Sequence, residues 1–188
     1  MKINKFIVIG IVLFQLLIIA GMFAKSMYPL VSGQEVQFKV RPVDPRDIFR
    51  GQYVRLGYDF NRINLKAIKN DLDTTLVLHF GDVLHLEVAP DEEVPYYKTV
   101  GLWQNAPATL ADKHLLLKAY CNENYGWEVH DSYFLRLKCG IESYYTDPKT
   151  ALELENAMRQ NNQDSIDVAV KVMVADNGQS RIKAVVYQ

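Results

Sequence analysis

The beginning of the chain is uniformly apolar, whereas most of the remainder alternates between apolar and polar positions. Residues 6–24, FIVIGIVLFQLLIIAGMFA, contain one polar side chain, Gln15. As an α-helix they would extend roughly 28 Å, which is close to the hydrocarbon thickness of a bilayer. A helix that is apolar on every face is typical of a membrane span. The pattern therefore predicts a transmembrane anchor over residues 6–24.

A cleaved signal peptide is the alternative interpretation of this segment. The apolar region of a signal peptide usually has about 7–15 residues and ends at a small-x-small site, which Ala24-Lys25-Ser26 resembles. The greater length of the apolar run favours an uncleaved anchor. Lys2 and Lys5 precede the run and only Lys25 follows it directly. This distribution favours a cytoplasmic N-terminus and an extracytoplasmic main domain, either periplasmic or on the cell surface.

From residue 35 onward the apolar positions mostly repeat every second residue, as in β-strands with one buried face. The first clear strands are predicted in EVQFKVR, QYVRLGYDF and DVLHLEVA, and His85 and Glu87 are predicted to point outward. Further strands are predicted in YYKTVGLW, KHLLLKAYC and SYFLRLKCGIESYY. The positions predicted to be buried on the first three strands are Val36, Phe38, Val40, Val54, Leu56, Tyr58, Phe60, Leu84, Leu86 and Val88.

The C-terminal segment SIDVAVKVMVADNGQSRIKAVVYQ contains two apolar runs separated at Asn177-Gly178. Both of these residues tolerate a positive φ, so a tight hairpin is predicted there. Two segments without alternation, NLKAIKNDL and TDPKTALELENAMRQNN, are predicted to be short helices. In the second, Asp147 is a candidate N-cap and Pro148 suits the first helical position.

The predicted architecture is mainly β (α+β), with an N-terminal transmembrane helix in front of a single domain. Its parts are a cytoplasmic N-terminus (1–5), the anchor (6–24), a linker (25–34) and an extracytoplasmic β domain (35–188). The domain is predicted to be an antiparallel β barrel or sandwich with one or two short helices, because either arrangement protects strand edges.

Charge and composition exclude some functional classes. The chain has 21 basic and 22 acidic residues, so it lacks the basic excess of a nucleic-acid-binding protein. The four histidines have no spacing that matches a metal site. No cofactor and no metal are predicted. The histidines are His79, His85, His114 and His130.

Cys121 and Cys139 both fall on the predicted buried faces of their strands. In an oxidising compartment, an even pair of cysteines is compatible with a disulfide. Two small buried thiols are the alternative. The sequence leaves both interpretations open.

Residues 51–58, GQYVRLGY, resemble the Gly-Asp-Tyr-x-x-Leu-x-Tyr signature of the GDYXXLXY family. The matching residues are Gly51, Tyr53, Leu56 and Tyr58. The preceding PVDPRDIFRG and the later GIESYY (140–145) resemble two further recurring segments of that family. The resemblance covers nearly all of the chain after the anchor. It implies an anchored protein that accompanies multi-pass membrane proteins and has no assigned biochemical activity.

The aspartate of the signature is replaced by Gln52. An amide neither titrates nor carries charge, so this position does not supply an obligate acid, base or metal ligand here. We expect VDPRDIFRG to be a turn that precedes the strand, with Gly51 giving it conformational freedom. Its charged residues are expected to join the two signature segments in space, or alternatively to form a ligand or partner surface. These residues are Asp44, Arg46, Asp47 and Arg50, with Glu142 as their expected partner.

An enzymatic alternative comes from two short matches. SMYPL (26–30) resembles the Ser-Met-x-Pro box of type I signal peptidases, and KTVGL (98–102) resembles their general-base strand. A Ser26/Lys98 dyad is therefore a candidate, because a lysine base can activate a serine. The Gly-Asp that usually follows the serine box is absent.

The preferred interpretation is an anchored, non-enzymatic domain that binds an integral membrane partner. The alternatives are a membrane-anchored serine–lysine hydrolase and a small-ligand-binding barrel, the latter indicated by any concave pocket with convergent polar groups.

Overall fold

One long helix and twelve strands account for most of the described part of the chain. The computed structural model describes residues 5–42, 53–73, 77–123, 134–147, 149–150 and 168–187. The helix is α1 (Lys5–Ser32), and a 3₁₀ turn covers Asp59–Asn61. The strands are β1 (Gln34–Lys39), β2 (Arg41–Pro42), β3 (Tyr53–Gly57), β4 (Arg62–Asn64), β5 (Lys69–Asn70), β6 (Val83–Pro90), β7 (Tyr97–Trp103), β8 (Leu115–Cys121), β9 (Phe134–Lys138), β10 (Ser143–Tyr145), β11 (Val168–Val174) and β12 (Ser180–Tyr187).

The helix α1 is long and apolar enough to span a membrane, judged by its length and composition. It does not end at Ala24. It continues to Ser32, so that most of the expected linker over residues 25–34 is helical and Gly33 alone separates α1 from β1. The continuation is supported by packing, because Pro29 in the last turns is buried. The amide of Gly33 donates to the carbonyl oxygen of Pro29 at 2.9 Å and closes the last turn.

The first sheet has the order β1-β11-β12 and is antiparallel. The predicted hairpin between β11 and β12 is confirmed. Gly178 has a φ of +80° and its amide donates to the carbonyl oxygen of Ala175 at 2.8 Å. Asn177 keeps a negative φ, so only the glycine uses the left-handed conformation. The hairpin tip contacts the next sheet, since the amide of Lys118 on β8 donates to Gly178 at 2.7 Å.

The second sheet has the order β4-β9-β8-β6-β7-β5 and curls into a half-barrel. Its strands are antiparallel except that β5 runs parallel to β7. The helix predicted in NLKAIKNDL is wrong: residues 65–68 form a turn and β5 follows. The side-chain oxygen of Asn64 accepts a hydrogen bond from the amide of Lys66 at 3.0 Å. Such an Asx turn offers the backbone an alternative to helix.

The third sheet has the order β10-β3-β2. The segment predicted as one strand, SYFLRLKCGIESYY, is divided into β9 and β10. The division falls at Gly140, which has a φ of +81°. The corner lets β10 leave the half-barrel and pair with β3.

The core confirms the predicted buried faces of the first strands. All ten predicted inward positions on β1, β3, β6 and their flanks are buried. Glu87 is an exception among the outward positions. It alternates with buried leucine and valine as expected, but its own exposure is only 9%. On the outer face of the sheet, Glu87 contacts the indole of Trp103 and the imidazole of His114.

The predicted N-cap at Asp147 is confirmed. Its Oδ1 accepts hydrogen bonds from the amides of Lys149 and Thr150, both at 3.1 Å. The Thr150 hydroxyl, followed by the backbone amides of Thr150 and Lys149, lowers the pKa of the Asp147 carboxyl. The rest of the helix predicted after this cap lies outside the described residues.

Candidate functional site

The two segments that carry the signature lie side by side, as predicted from the sequence. Strand β10 pairs with β3, so that Tyr144 is opposite Val54 and Ser143 is opposite Arg55. Strand β2 pairs with the other edge of β3 in antiparallel orientation. Strands β2 and β3 therefore flank the stretch that contains VDPRDIFRG, and residues 43–52 themselves lie outside the described residues.

Tyr58 is the centre of this junction. Its ring is buried, stacks on Phe60 with centroids 4.7 Å apart and meets the edge of Phe38 at 6.1 Å. Its hydroxyl donates to the carbonyl oxygen of Ile141 at 2.9 Å. Burial raises the pKa of Tyr58 well above its ordinary value, and the charge of Glu142 adds to the effect. The hydroxyl is thus a neutral donor that holds the two segments together.

Glu142 fixes the corner between β9 and β10. Its Oε1 accepts from the amide of Cys139 at 2.6 Å, and its Oε2 accepts from the amide of Gly140 at 3.0 Å. The amide nitrogen of Asn61 also reaches Oε1 at 3.3 Å and donates to the carbonyl oxygen of Leu137 at 3.0 Å. Within the described residues, Glu142 therefore anchors backbone rather than an arginine.

Several predicted site residues lie outside the described residues. They are Asp44, Arg46, Asp47, Arg50 and Gly51. Tyr53 contributes its backbone to β3, where it pairs with Tyr145, and Leu56 is buried in the core. The expected ion pairs of the loop and the special backbone conformation at Gly51 stay predictions.

Ser26 and Lys98 contact different partners. The guanidinium of Arg181 on β12 donates to the carbonyl oxygen of Ser26 at 3.2 Å and also contacts its hydroxyl. The ammonium of Lys98 on β7 lies 3.0 Å from Asp91. This pair contributes to lowering the pKa of Asp91, after the larger effect of the Glu93 amide. Ser26 and Lys98 are each engaged with a partner other than the other member of the candidate dyad.

Cys121 and Cys139 are free and buried. The register explains why they are not bonded: Cys121 lies opposite Leu137, two residues before Cys139. Such diagonal neighbours are typically about 7–8 Å apart, beyond the usual reach of a disulfide. Burial raises the pKa of Cys121 to about 11 and that of Cys139 well above its ordinary value. Both thiols are therefore protonated near neutral pH.

A polar cluster on the outer face of the half-barrel was missed by the sequence patterns. Glu87 Oε2 accepts from the indole nitrogen of Trp103 at 2.7 Å, and Glu87 Oε1 lies 2.6 Å from Nδ1 of His114. Gly101 lies opposite Glu87, where a Cβ would come within 2.9 Å of Oε2. A glycine inside a strand is a known sign of such a close approach. Gly101 was therefore the feature of the sequence that could have indicated the cluster around Glu87.

The cluster does not amount to a metal centre. No group of three or more histidine, cysteine, aspartate or glutamate side chains in the described part of the chain could hold a metal ion. Instead, the Glu87 carboxylate is hydrogen-bonded to the His114 imidazole through one oxygen and accepts the indole N–H of Trp103 with the other.

The family assignment follows from a match to a family model. The model of the GDYXXLXY protein matches residues 15–185, from within α1 to within β12. The chain belongs to the GDYXXLXY family. No curated protein and no solved structure matches the chain. In this GDYXXLXY protein, two signature residues, Leu56 and Tyr58, are buried in the core beside the junction between β3 and β10.

Proposed function

We propose that this GDYXXLXY protein is a single-pass membrane protein whose extracytoplasmic β domain binds an integral membrane partner as an accessory subunit. The N-terminus is cytoplasmic in this proposal, and the domain is periplasmic or on the cell surface. The observation that carries it is the direct connection of the apolar helix to the β domain. The helix and β1 are separated by Gly33 alone.

The connection supports a fixed geometry at the membrane surface. If residues 6–24 span the hydrocarbon, residues 25–32 extend the helix by roughly 12 Å beyond it. Pro29 is buried, and Arg181 of β12 contacts Ser26 near the point where the helix would leave the bilayer. A domain held in this way has a restricted orientation, which favours recognition of a neighbouring membrane protein because little freedom is lost on binding.

Co-purification tests the proposal. The full chain, tagged at its C-terminus and solubilised in a mild detergent, is expected to bring down an integral membrane protein that mass spectrometry identifies. A flexible Gly-Ser insertion between Ser32 and Gly33 is expected to reduce recovery of the partner while the chain stays in the membrane. The matched control is the same insertion in the hairpin loop 92–96, away from the junction. Purification of the parent chain alone contradicts the proposal.

A further inference from the structure

A cationic cleft of about 880 Å³ lies beside the signature junction. It is lined by residues of β2, β3, β4, β9 and β10 and by the 3₁₀ turn. Five of its side chains are basic and two are acidic, in a chain whose net charge is −1. The basic side chains are Arg41, Arg55, Arg62, Arg136 and Lys138.

The two carboxylates in the cleft, Asp59 and Glu142, already interact with other groups of the protein. Asp59 lies 3.0 Å from the guanidinium of Arg41. Glu142 accepts the backbone amides of the corner between β9 and β10. Within the described residues neither carboxylate contacts Arg55, Arg62 or Lys138, so these three side chains give this part of the cleft an excess of positive charge.

The strand register places two of these cations against each other. Arg62 on β4 is directly opposite Arg136 on β9. Like charges directly opposite in a sheet destabilise it. Glu123 binds Arg136 at 2.8 Å from outside the cleft, while the guanidinium of Arg62 lies over the ring of Phe134 at 4.3 Å from its centroid. That contact fixes the guanidinium of Arg62 in place without adding negative charge.

We propose that this cleft binds a small ligand through its phosphate groups. A guanidinium binds phosphate with two parallel hydrogen bonds, and several guanidiniums around one cleft match a ligand with more than one negative charge. The bound anion would offset the charge of Arg62, whose cross-strand neighbour Arg136 is already paired with Glu123. Arg55 and Lys138 are the other side chains that we expect to contact it. The phosphate belongs either to a soluble phosphorylated compound or to a lipid headgroup.

Binding of inorganic tripolyphosphate tests the cleft. The full chain in phosphatidylcholine nanodiscs is titrated in 150 mM chloride, and the dissociation constant is measured. Arg62→Gln and Arg55→Gln are each expected to weaken binding by at least about tenfold, because each removes charge-assisted hydrogen bonds. The matched control is Lys183→Gln, which removes a cation paired with Glu35 outside the cleft. Circular dichroism confirms that each variant is folded.

The source of the phosphate is tested with two anionic lipids at equal charge. Phosphatidylglycerol contains a phosphate, whereas cholesteryl hemisuccinate does not. If phosphatidylglycerol alone weakens tripolyphosphate binding, then the ligand is a lipid headgroup. If the two lipids have equal effects, then the ligand is soluble. Absence of tripolyphosphate binding to the parent, or equal binding by the parent and both arginine variants, overturns the proposal, whether or not a protein partner co-purifies.

Discussion

The hydroxyl of Tyr58 donates a hydrogen bond of 2.9 Å to the carbonyl oxygen of Ile141, and this bond joins the two signature segments. The two residues are 83 positions apart in the chain. Tyr58 follows β3 and Ile141 precedes β10, so the bond lies where the pairing of these strands begins. The last tyrosine of the signature is therefore a structural residue that links distant parts of the domain.

Tyr58→Phe keeps the ring and removes this bond. We expect the free energy of unfolding to fall by about 1–3 kcal/mol, because the Ile141 carbonyl loses its partner in the core. Tyr58→Asp is expected to unfold the domain, since it buries an unpaired carboxylate. Thermal unfolding of the full chain in detergent, followed by circular dichroism, measures both effects.

Asp59→Asn is the matched control for the tyrosine variants. The Asp59 side chain is 68% exposed and its ion pair with Arg41 is on the surface. Such a pair contributes about 0–1 kcal/mol. Equal melting temperatures for Tyr58→Asp and Asp59→Asn would show that Tyr58 does not support the core.

Gly33→Ala tests the connection between the helix and the β domain. A Cβ at Gly33 would lie 2.4 Å from the carbonyl oxygen of Pro29 and 2.9 Å from the backbone of Val174. Because both obstacles are backbone, we expect the free energy of unfolding to fall by about 1–3 kcal/mol or more. Gly21→Ala is the control, since a Cβ there meets nothing within 4 Å. Unchanged stability of Gly33→Ala would contradict the tight junction.

Tyr58 and the end of α1 show which features of the fold the sequence could predict and which it could not. Alternation placed Tyr58 on a buried face, and the expected ion pairs between the loop and Glu142 were the reason for predicting that the two signature segments meet. The carbonyl partner of Tyr58 was beyond prediction because no local pattern specifies a contact over 83 residues. The continuation of α1 beyond the apolar run was beyond prediction for a related reason. The apolar run stops at Ala24, but packing of Pro29 and the contact of Ser26 with β12 continue the helix to Ser32.

The basic cleft was also beyond the sequence patterns. Each of its arginines is an ordinary polar residue at an outward strand position. Only the pairing of β4 with β9 places Arg62 opposite Arg136. The small-ligand alternative stays a prediction, and binding of tripolyphosphate to this cleft is the measurement that tests it.

The helix α1 gives a prediction about processing. We expect the chain to stay in the membrane fraction after washing with alkaline carbonate and to keep residues 1–24. Cleavage after Ser26 would divide a continuous helix and remove the residue that Arg181 contacts. Mass spectrometry of the purified protein measures the N-terminus. A soluble form that starts near Met27 would show that the segment is a cleaved signal peptide.

The two buried thiols predict a loss of stability in alkali. In the unfolded chain the thiols ionise near pH 9, whereas in the folded chain burial raises the pKa of Cys121 to about 11 and raises that of Cys139 as well. The folded state therefore holds more protons above pH 9. Stability is fully present below pH 9 and is lost as pH rises toward 11, by up to about 1.4 kcal/mol per pH unit for each thiol.

Urea unfolding between pH 8 and pH 11 measures this dependence under reducing conditions. Cys121→Ala is expected to give a shallower decline, because one proton-linked group is removed. Val172→Ala, at another buried position, is the control that lowers stability without changing the slope. A slope that is the same in the parent and Cys121→Ala would contradict the assignment. Under native conditions near pH 7, we expect neither thiol to react with a thiol reagent.

Glu87 tests the polar cluster on the outer face of the half-barrel. Glu87→Ala is expected to lower the free energy of unfolding by about 1–3 kcal/mol, because the indole of Trp103 and the imidazole of His114 lose their shared acceptor. Glu87→Gln should cost less, since its amide oxygen can still accept one of the two bonds. The exposed Glu92→Ala is the control. If Glu87→Ala and Glu92→Ala unfold at the same urea concentration, then the cluster does not stabilise the sheet.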